Sequence, residues 1–237
     1  MAEAWNLDRS QILSTEEVCR LLKFVSGPLR GETKSNPSSD RIDEIIIVTL
    51  VLSGLRNSEF CGLRLRDALC RERPNRINVR PARGAKRTVY VPARVAEVVV
   101  RYIDEVRPDL LPEGVDARDE MQPLVFSERK RPFDRTGLYR RVVKILTEAG
   151  FGGRASVQLL RHTYGYLAYL RTGGNLLFVQ RQLGHAHPRI TSVYARLVEE
   201  SYADLAERVA GPAAEEKAHA AKGAYEQCRP AFDCEID

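Results

Sequence analysis

Gln158-Leu159-Leu160-Arg161-His162-Thr163 is followed by Leu183-Gly184-His185 and then by Thr191-Ser192-Val193-Tyr194. Far upstream stands Gly54-Leu55-Arg56-Asn57-Ser58-Glu59. Two arginines, a histidine and a tyrosine in this order suggest a phosphate held by cations beside an aromatic hydroxyl. Guanidinium groups suit the role because they are planar, permanently protonated and bidentate. Such a set can break and rejoin a nucleic-acid backbone without a metal, with the phenol as nucleophile.

The charge pattern around these segments points the same way. Lys and Arg total 37 against 32 Asp and Glu, and the net charge is +5. No acidic residue lies between Glu148 and Glu199, a stretch that carries Arg154, Arg161, Arg171, Arg181, Arg189 and Arg196. A second basic cluster runs through Arg71, Arg73, Arg76, Arg80, Arg83, Lys86, Arg87 and Arg94. Two focused clusters that overlap the motifs favour an anionic polymer as partner. The five cysteines, Cys19, Cys61, Cys70, Cys228 and Cys234, form no CxxC pair and suit a reducing, cytoplasmic setting. The N-terminus shows no signal pattern, and the longest apolar run, residues 45–52, is too short to cross a bilayer.

The pattern between the motifs predicts a mainly α fold with a small antiparallel β-sheet. Ser14 or Thr15 caps a helix with Val18, Leu21, Leu22 and Val25 on its apolar stripe. A core helix follows over 39–53, apolar almost all round after Ile45, and a short helix over 56–63. Residues 76–80 and 87–91 alternate as a β-hairpin with a basic tip. Helices are expected over 93–106, 136–149, 158–171, 176–183, 189–196 and 200–209, with a third short strand at Leu124-Val125-Phe126 and a loop over 107–122. Leu167, Leu170, Leu176, Leu177 and Val179 read most simply as core.

The motifs together resemble the catalytic domain of the tyrosine recombinases, the lambda-type phage integrase family. Gly54-Leu55-Arg56-Asn57-Ser58-Glu59-Phe60-Cys61-Gly62-Leu63 is similar to the first family box. Gln158 to Thr163 is similar to the second, and Leu183-Gly184-His185 with Thr191 to Tyr194 to the last. The hairpin ending in Val91-Pro92 also fits, and the match runs from about Ser14 to Val209. The resemblance implies a site-specific recombinase or integrase acting on double-stranded DNA. Arg56 and Arg161 would clamp the phosphate, His185 would add a hydrogen bond, and Tyr194 would attack to give a 3′-phosphotyrosyl link. Neighbouring positive charge would favour its phenolate. It implies no cofactor and no metal, and self-association on DNA as a dimer or tetramer.

The chain departs from the family pattern twice. The family's second box opens with a histidine that helps accept the tyrosine proton. Gln158 stands there, and glutamine takes no proton at neutral pH. Losing a general base would cost roughly 10²-fold in rate. The family's hairpin lysine protonates the leaving 5′-oxygen. Lys86 is the only lysine in the turn, although counting back from Pro92 lands nearer Arg83 or Gly84.

Arg80, Arg83, Arg87, Arg154 and Arg189 are the candidate DNA contacts. Glu59 reads as a brace for Arg56, and His162 as structural. His185-Ala186-His187 has no further ligand at metal spacing. The resulting division is an N-terminal extension over 1–13, a catalytic domain over 14–211 and a tail over 212–237. Residues 213–227 would dock in trans on DNA, and the family's helical core-binding domain is not expected ahead of residue 14. The alternative function is a catalytically impaired DNA-binding accessory protein of the same fold, and a weaker one is a topoisomerase-like relaxing activity.

Overall fold

The structure is a computed structural model that describes residues 7–27, 37–68, 75–80 and 85–198. Helix α1 (Thr15–Ser26) starts on a reciprocal cap. Ser14 Oγ accepts from Glu17 N–H at 3.2 Å, and the Glu17 carboxylate accepts from Ser14 N–H at 2.9 Å. Val18, Leu21, Leu22 and Val25 turn inward as the helical spacing requires, onto α2 (Pro37–Ser53). Every residue of α2 from Ile42 to Ser53 is buried. A helix apolar all round has no solvent face, and α2 accordingly forms the centre of the core. Around it pack α1, α4 (Ala93–Glu105), α6 (Arg135–Leu146) and α7 (Val157–Arg171).

The short helix α3 (Asn57–Cys61) follows α2 at once, so the Arg56 region is anchored to the core helix. Strands β1 (Arg76–Val79) and β2 (Arg87–Tyr90) pair antiparallel, with Ile77 opposite Val89 and Val79 opposite Arg87. Side chains alternate along a strand. Ile77, Val79 and Val89 therefore share the buried face, and Arg87 belongs to it too. Strand β2 lies against α8 (Leu176–Leu183). Asn175 caps α8 through Phe178 N–H at 2.9 Å, and Gly184 ends it at φ 64°, a conformation open to glycine.

A second, smaller core holds Leu7, Ile12, Val179, Leu183, Val193, Tyr194 and Leu197 between α7, α8 and the segment after α9 (Pro188–Thr191). Leu7, Ile12 and Leu13 are all buried, so residues ahead of Ser14 pack onto the body.

Four local expectations differ from the structure. Leu124-Val125-Phe126 is buried but forms no strand, only isolated bridges Arg64–Pro123 and Phe126–Pro132. Prolines at those positions lack the N–H that would extend a ladder, and Phe126 N–H donates to the Tyr102 hydroxyl at 3.0 Å instead. The loop over 107–122 contains α5 (Arg107–Leu110), opened by Pro108 in its first turn. The helix over 189–196 splits into α9 and a 3₁₀ turn, Ala195–Leu197. Ile190, Thr191 and Val193 are β-branched and lower helix propensity there, and Tyr194 sits at the break. Leu170, Leu176 and Leu177 are exposed, and of the five residues read as core only Leu167 and Val179 are buried. The helix over 200–209, the tail, Arg83 and Gly84 lie outside the described residues. No helix among the described residues is long and apolar enough to cross a membrane.

Candidate active site

Helix α7 presents Gln158, Arg161, His162 and Gly165 at spacings of three and four, hence on one face. That face meets Arg56 at the start of α3, the Gly184-His185 turn after α8, and Tyr194. Together they line one cavity of about 1150 Å³. Its far wall is Asn57, Ser58, Arg135, Thr136 and Tyr139, from α3 and the first turns of α6. The α7 face toward Tyr194 carries no side chain at Gly165, and this lets the ring approach. A Cβ there would stand 2.3 Å from Tyr194 Cζ.

Arg161 is buried and donates to Gly54 O at 2.5 Å and Leu183 O at 2.7 Å. Arg56 donates to Glu59 Oε1 at 2.9 Å and to Gly184 O at 3.0 Å, with 42% of its side chain exposed. Glu59 also accepts from Arg56 N–H at 2.8 Å and takes a two-pronged bond from Arg87, at 2.6 and 2.9 Å. Burial alone would raise the Glu59 carboxyl. The Arg87 bonds, the Arg56 N–H and the charges of both guanidiniums outweigh it and bring the carboxyl down to about 2. Glu59 is thus the brace that the sequence suggested. Arg56 and Arg87 share this one carboxylate and Arg161 lies close by without pairing to it, so these four groups balance at +2. Burial, and then the neighbouring Arg56 charge, pull Arg161 down to about 10, still protonated at neutral pH.

His185 Nδ1 lies 2.9 Å from the buried Thr191 hydroxyl, which leaves Nε2 as the ring's second polar atom. The ring runs parallel to Tyr194, centroids 6.5 Å apart. His162 Nδ1 lies 3.2 Å from the Tyr194 hydroxyl, and His162 Nε2 lies 2.9 Å from the exposed Gln158 amide. Sequence reading took His162 as structural. The i, i+4 step from Gln158 was the signal that it shares the cavity face. Burial and then Arg161 pull His162 down to about 4; burial, Arg161 and Arg56 do the same to His185. Both imidazoles are neutral at pH 7. The positive charge expected to favour the Tyr194 phenolate is there as Arg161, but burial outweighs it and pushes the phenol up to about 12. Desolvation wins because the ring is 1% exposed.

The other candidates are distributed differently. Lys86 is exposed just before β2 and does not line the cavity. Arg80 pairs with Asp67 at 2.6 Å, its side chain 40% exposed. Arg154 pairs with Glu17 and donates to Ile12 O at 3.1 Å. Arg87 faces inward to Glu59 and donates to Gln182 O at 3.1 Å. Arg189 is exposed on α9. Among the described residues no group of three His, Cys, Asp or Glu is placed to hold a metal ion.

Known proteins resemble this chain in sequence and fold. The chain is 28% identical over 193 residues to tyrosine recombinase XerA of Thermococcus kodakarensis, covering 79% of this chain and 58% of that one. It is 28% identical over 196 residues to tyrosine recombinase XerC of Thermodesulfovibrio yellowstonii, covering 81% and 64%. The crystal structure of a XerA recombinase superposes with a TM-score of 0.64 at 26% identity, over 85% of this chain and 66% of that chain. The XerH site-specific recombinase bound to its difH substrate shares the fold, with a TM-score of 0.63 at 22% identity over 80% and 50%. The chain spans about three fifths of the length of the curated relatives it matches. Residues 11–201 match the phage integrase family across the helices, hairpin and cavity just described, and the chain belongs to that family.

Proposed function

We propose that this chain cleaves and rejoins duplex DNA through Tyr194. Support comes chiefly from one observation: Arg56, Arg161, His185 and Tyr194, from four separate segments, line a single cavity with a net positive balance. The scissile phosphate sits among the free edges of Arg56 and Arg161 and His185 Nε2. Donors aimed at charge that develops during attack are worth about 2.7–4 kcal/mol each. Tyr194 Oη forms the bond to phosphorus, the 5′-oxygen leaves with a proton, and the reverse attack by a 5′-hydroxyl restores the tyrosine. His162 Nδ1 is the nearest acceptor for the phenol proton. The Gln158 carbonyl, turned toward His162 Nε2–H, would leave Nδ1 free to accept. In this chain His162 thus serves in place of the histidine that Gln158 replaces. The general acid is Lys86, exposed just before β2; the neighbouring arginine of the turn keeps its proton and could only hold phosphate. The exposed Arg135, Tyr139 and Arg189 offer contacts to the flanking duplex, beside Arg80. Protomers assemble on DNA, as the paired exchange of strands requires.

The test uses duplexes recovered from a random-sequence pool by the Tyr194→Phe chain. A nick placed beside the cleavage site traps the covalent species. The expected result is a denaturation-resistant protein–DNA adduct, formed in EDTA by the wild-type chain and absent with Tyr194→Phe. Tight binding with no adduct on any recovered duplex would replace this reading with the accessory-protein one.

A further inference from the structure

Three successive carbonyls close α8, and each accepts from a different arginine. Gln182 O takes Arg87 Nε at 3.1 Å, Leu183 O takes Arg161 Nη2 at 2.7 Å, and Gly184 O takes Arg56 Nη2 at 3.0 Å. A helix C-terminus leaves such carbonyls without intrahelical partners and carries partial negative charge, so cations there are favoured. Two of these arginines line the cavity. Arg87 does not: it lines the adjoining cavity beside Glu59, Thr88 and Gln182, with 13% of its side chain exposed and its donors turned to protein acceptors. Its three donors reach the Glu59 carboxylate twice and Gln182 O once. Its guanidinium also packs on Gly184, where a Cβ would come within 2.9 Å of it. Further along the same strand, Tyr90 N–H donates to the Gln182 side-chain oxygen at 3.1 Å. Strand β2 is therefore bonded to the end of α8 through both the backbone and the side chain of Gln182.

We infer that Arg87 is a positioning residue that locks the hairpin, the Arg56–Glu59 pair and the turn bearing His185 into one rigid unit. It does so without touching the DNA phosphate. The inference rests on the reading of the cavity as the cleavage site, and it converts a residue of the basic hairpin from a DNA contact into a coupling device. A hairpin seated on DNA then sets the geometry of Arg56 and His185. Only arginine fits, because the planar fork reaches two carboxylate oxygens and a carbonyl at once, which a single ammonium cannot do.

The experiment compares the full chain with Arg87→Lys and Arg87→Gln by three readouts. The first is amide hydrogen exchange of a peptide spanning 180–190, which reports the turn directly. The second is the salt dependence of duplex binding, whose slope falls by about 0.9 for each phosphate that is no longer neutralised. The third is the rate of adduct formation. Both variants are expected to exchange about tenfold faster over 180–190, with protection of α2 unchanged. Both should keep the wild-type salt slope and form adduct at least tenfold more slowly. A lysine variant that matches wild type in exchange and rate would overturn the inference. So would a glutamine variant with unaltered exchange and a salt slope lowered by about one phosphate's worth, which would make Arg87 a phosphate ligand. If the wild-type chain forms no adduct at all, the cleavage reading fails, while the exchange comparison still decides whether Arg87 holds the turn.

Discussion

Two arginine clusters of this molecule sit on buried carboxylates, and they balance their charge differently. On the α2–α6 side, Arg141 pairs with Asp43 and with Glu128 at 2.9 Å, and donates to the Ser39 hydroxyl at 2.6 Å. Burial works against its charge, but Asp43 and Glu128 outweigh burial and hold the guanidinium above its ordinary value. Glu44 likewise takes Arg41 and Arg101, at 3.0 and 2.6 Å. Around the cavity, Arg56 and Arg87 share the single carboxylate of Glu59, Arg161 beside them binds only carbonyls, and burial and Arg56 pull Arg161 down to about 10. A neutralised arginine has nothing left to attract. An under-compensated cluster stores unfavourable repulsion that an incoming anion relieves, which suits a phosphate site.

Replacing one arginine on each side should break this comparison most sharply. Arg161→Ala should slow adduct formation by about 10²–10³-fold or more, since it removes a donor from the developing charge. Its stability loss should stay near 1–3 kcal/mol for each carbonyl left without a donor, at Gly54 and Leu183. Arg141→Ala should do the reverse. Removing the cation that Asp43 and Glu128 share should cost about 3–5 kcal/mol in denaturant unfolding, with an unaltered adduct rate per folded molecule. Inorganic phosphate should raise the melting temperature of the wild type and of Arg141→Ala, but not of Arg161→Ala. Equal protection of all three would show that the cavity holds no anion.

The same contrast explains what the sequence could and could not tell. The boxes named every segment that lines the near side of the cavity, because each box is short and its residues must converge on one small group. Helix α8 fell within its expected bounds because Asn175 and Gly184 punctuate it on either side. The α2 core was legible from an unbroken apolar run. Arg87 was read as a DNA contact because its neighbours in the sequence are basic. Its true orientation lay in the alternation with Val89, which puts it on the buried face, and in a carboxylate 28 residues away. The exposure of Leu176 and Leu177 was not legible, since only the packing of α8 decides which flank of an amphipathic helix is covered. The balance at Tyr194 was only half legible for a related reason. Nearby charge can be inferred from motif order, whereas the depth of burial that outweighs it depends on the second core closing around the ring.

A smaller effect comes from steric fit at that second core. Gly165→Ala places a methyl within 2.3 Å of Tyr194 Cζ and 2.7 Å of both Cε atoms. Alanine favours the helix, so α7 itself loses nothing. The ring must move, at about 1–3 kcal/mol for an overpacked contact, and His162 Nδ1 loses its contact with the Tyr194 hydroxyl. The adduct rate should fall by more than the stability loss would explain. The measurement is single-turnover adduct formation beside a denaturant melt. A rate that drops only in proportion to the unfolded fraction would mean that Tyr194 reacts from a position other than the buried one.

A pH dependence also separates the two sides. His162 and His185 titrate near 6.5 when unfolded and at about 4 when folded, through burial and then the charge of Arg161. Above pH 6.5 neither state binds the protons, and the stability that the neutral rings contribute is fully present. Between 6.5 and 4 the unfolded chain takes up protons that the folded chain refuses, so stability falls with pH by up to two protons' worth of slope. Below 4 these two rings contribute no further slope. The Glu59 carboxyl, held at about 2, adds its own loss from about 4.5 downward. On the Arg141 side Glu128 is also lowered, against burial, by hydrogen bonds from its own backbone and Ser39 and by Arg141, so its loss too waits for acid below 4.5. Denaturant midpoints at pH 7.5, 6 and 5 should therefore report the cavity alone. His185→Gln should remove about half of the decline. Inorganic phosphate should flatten what remains, because an anion between Arg56 and Arg161 makes a protonated His162 or His185 less costly. A decline unchanged by His185→Gln and by phosphate would place the titrating groups elsewhere, and the cavity's positive balance would then have no part in the acid sensitivity of the fold.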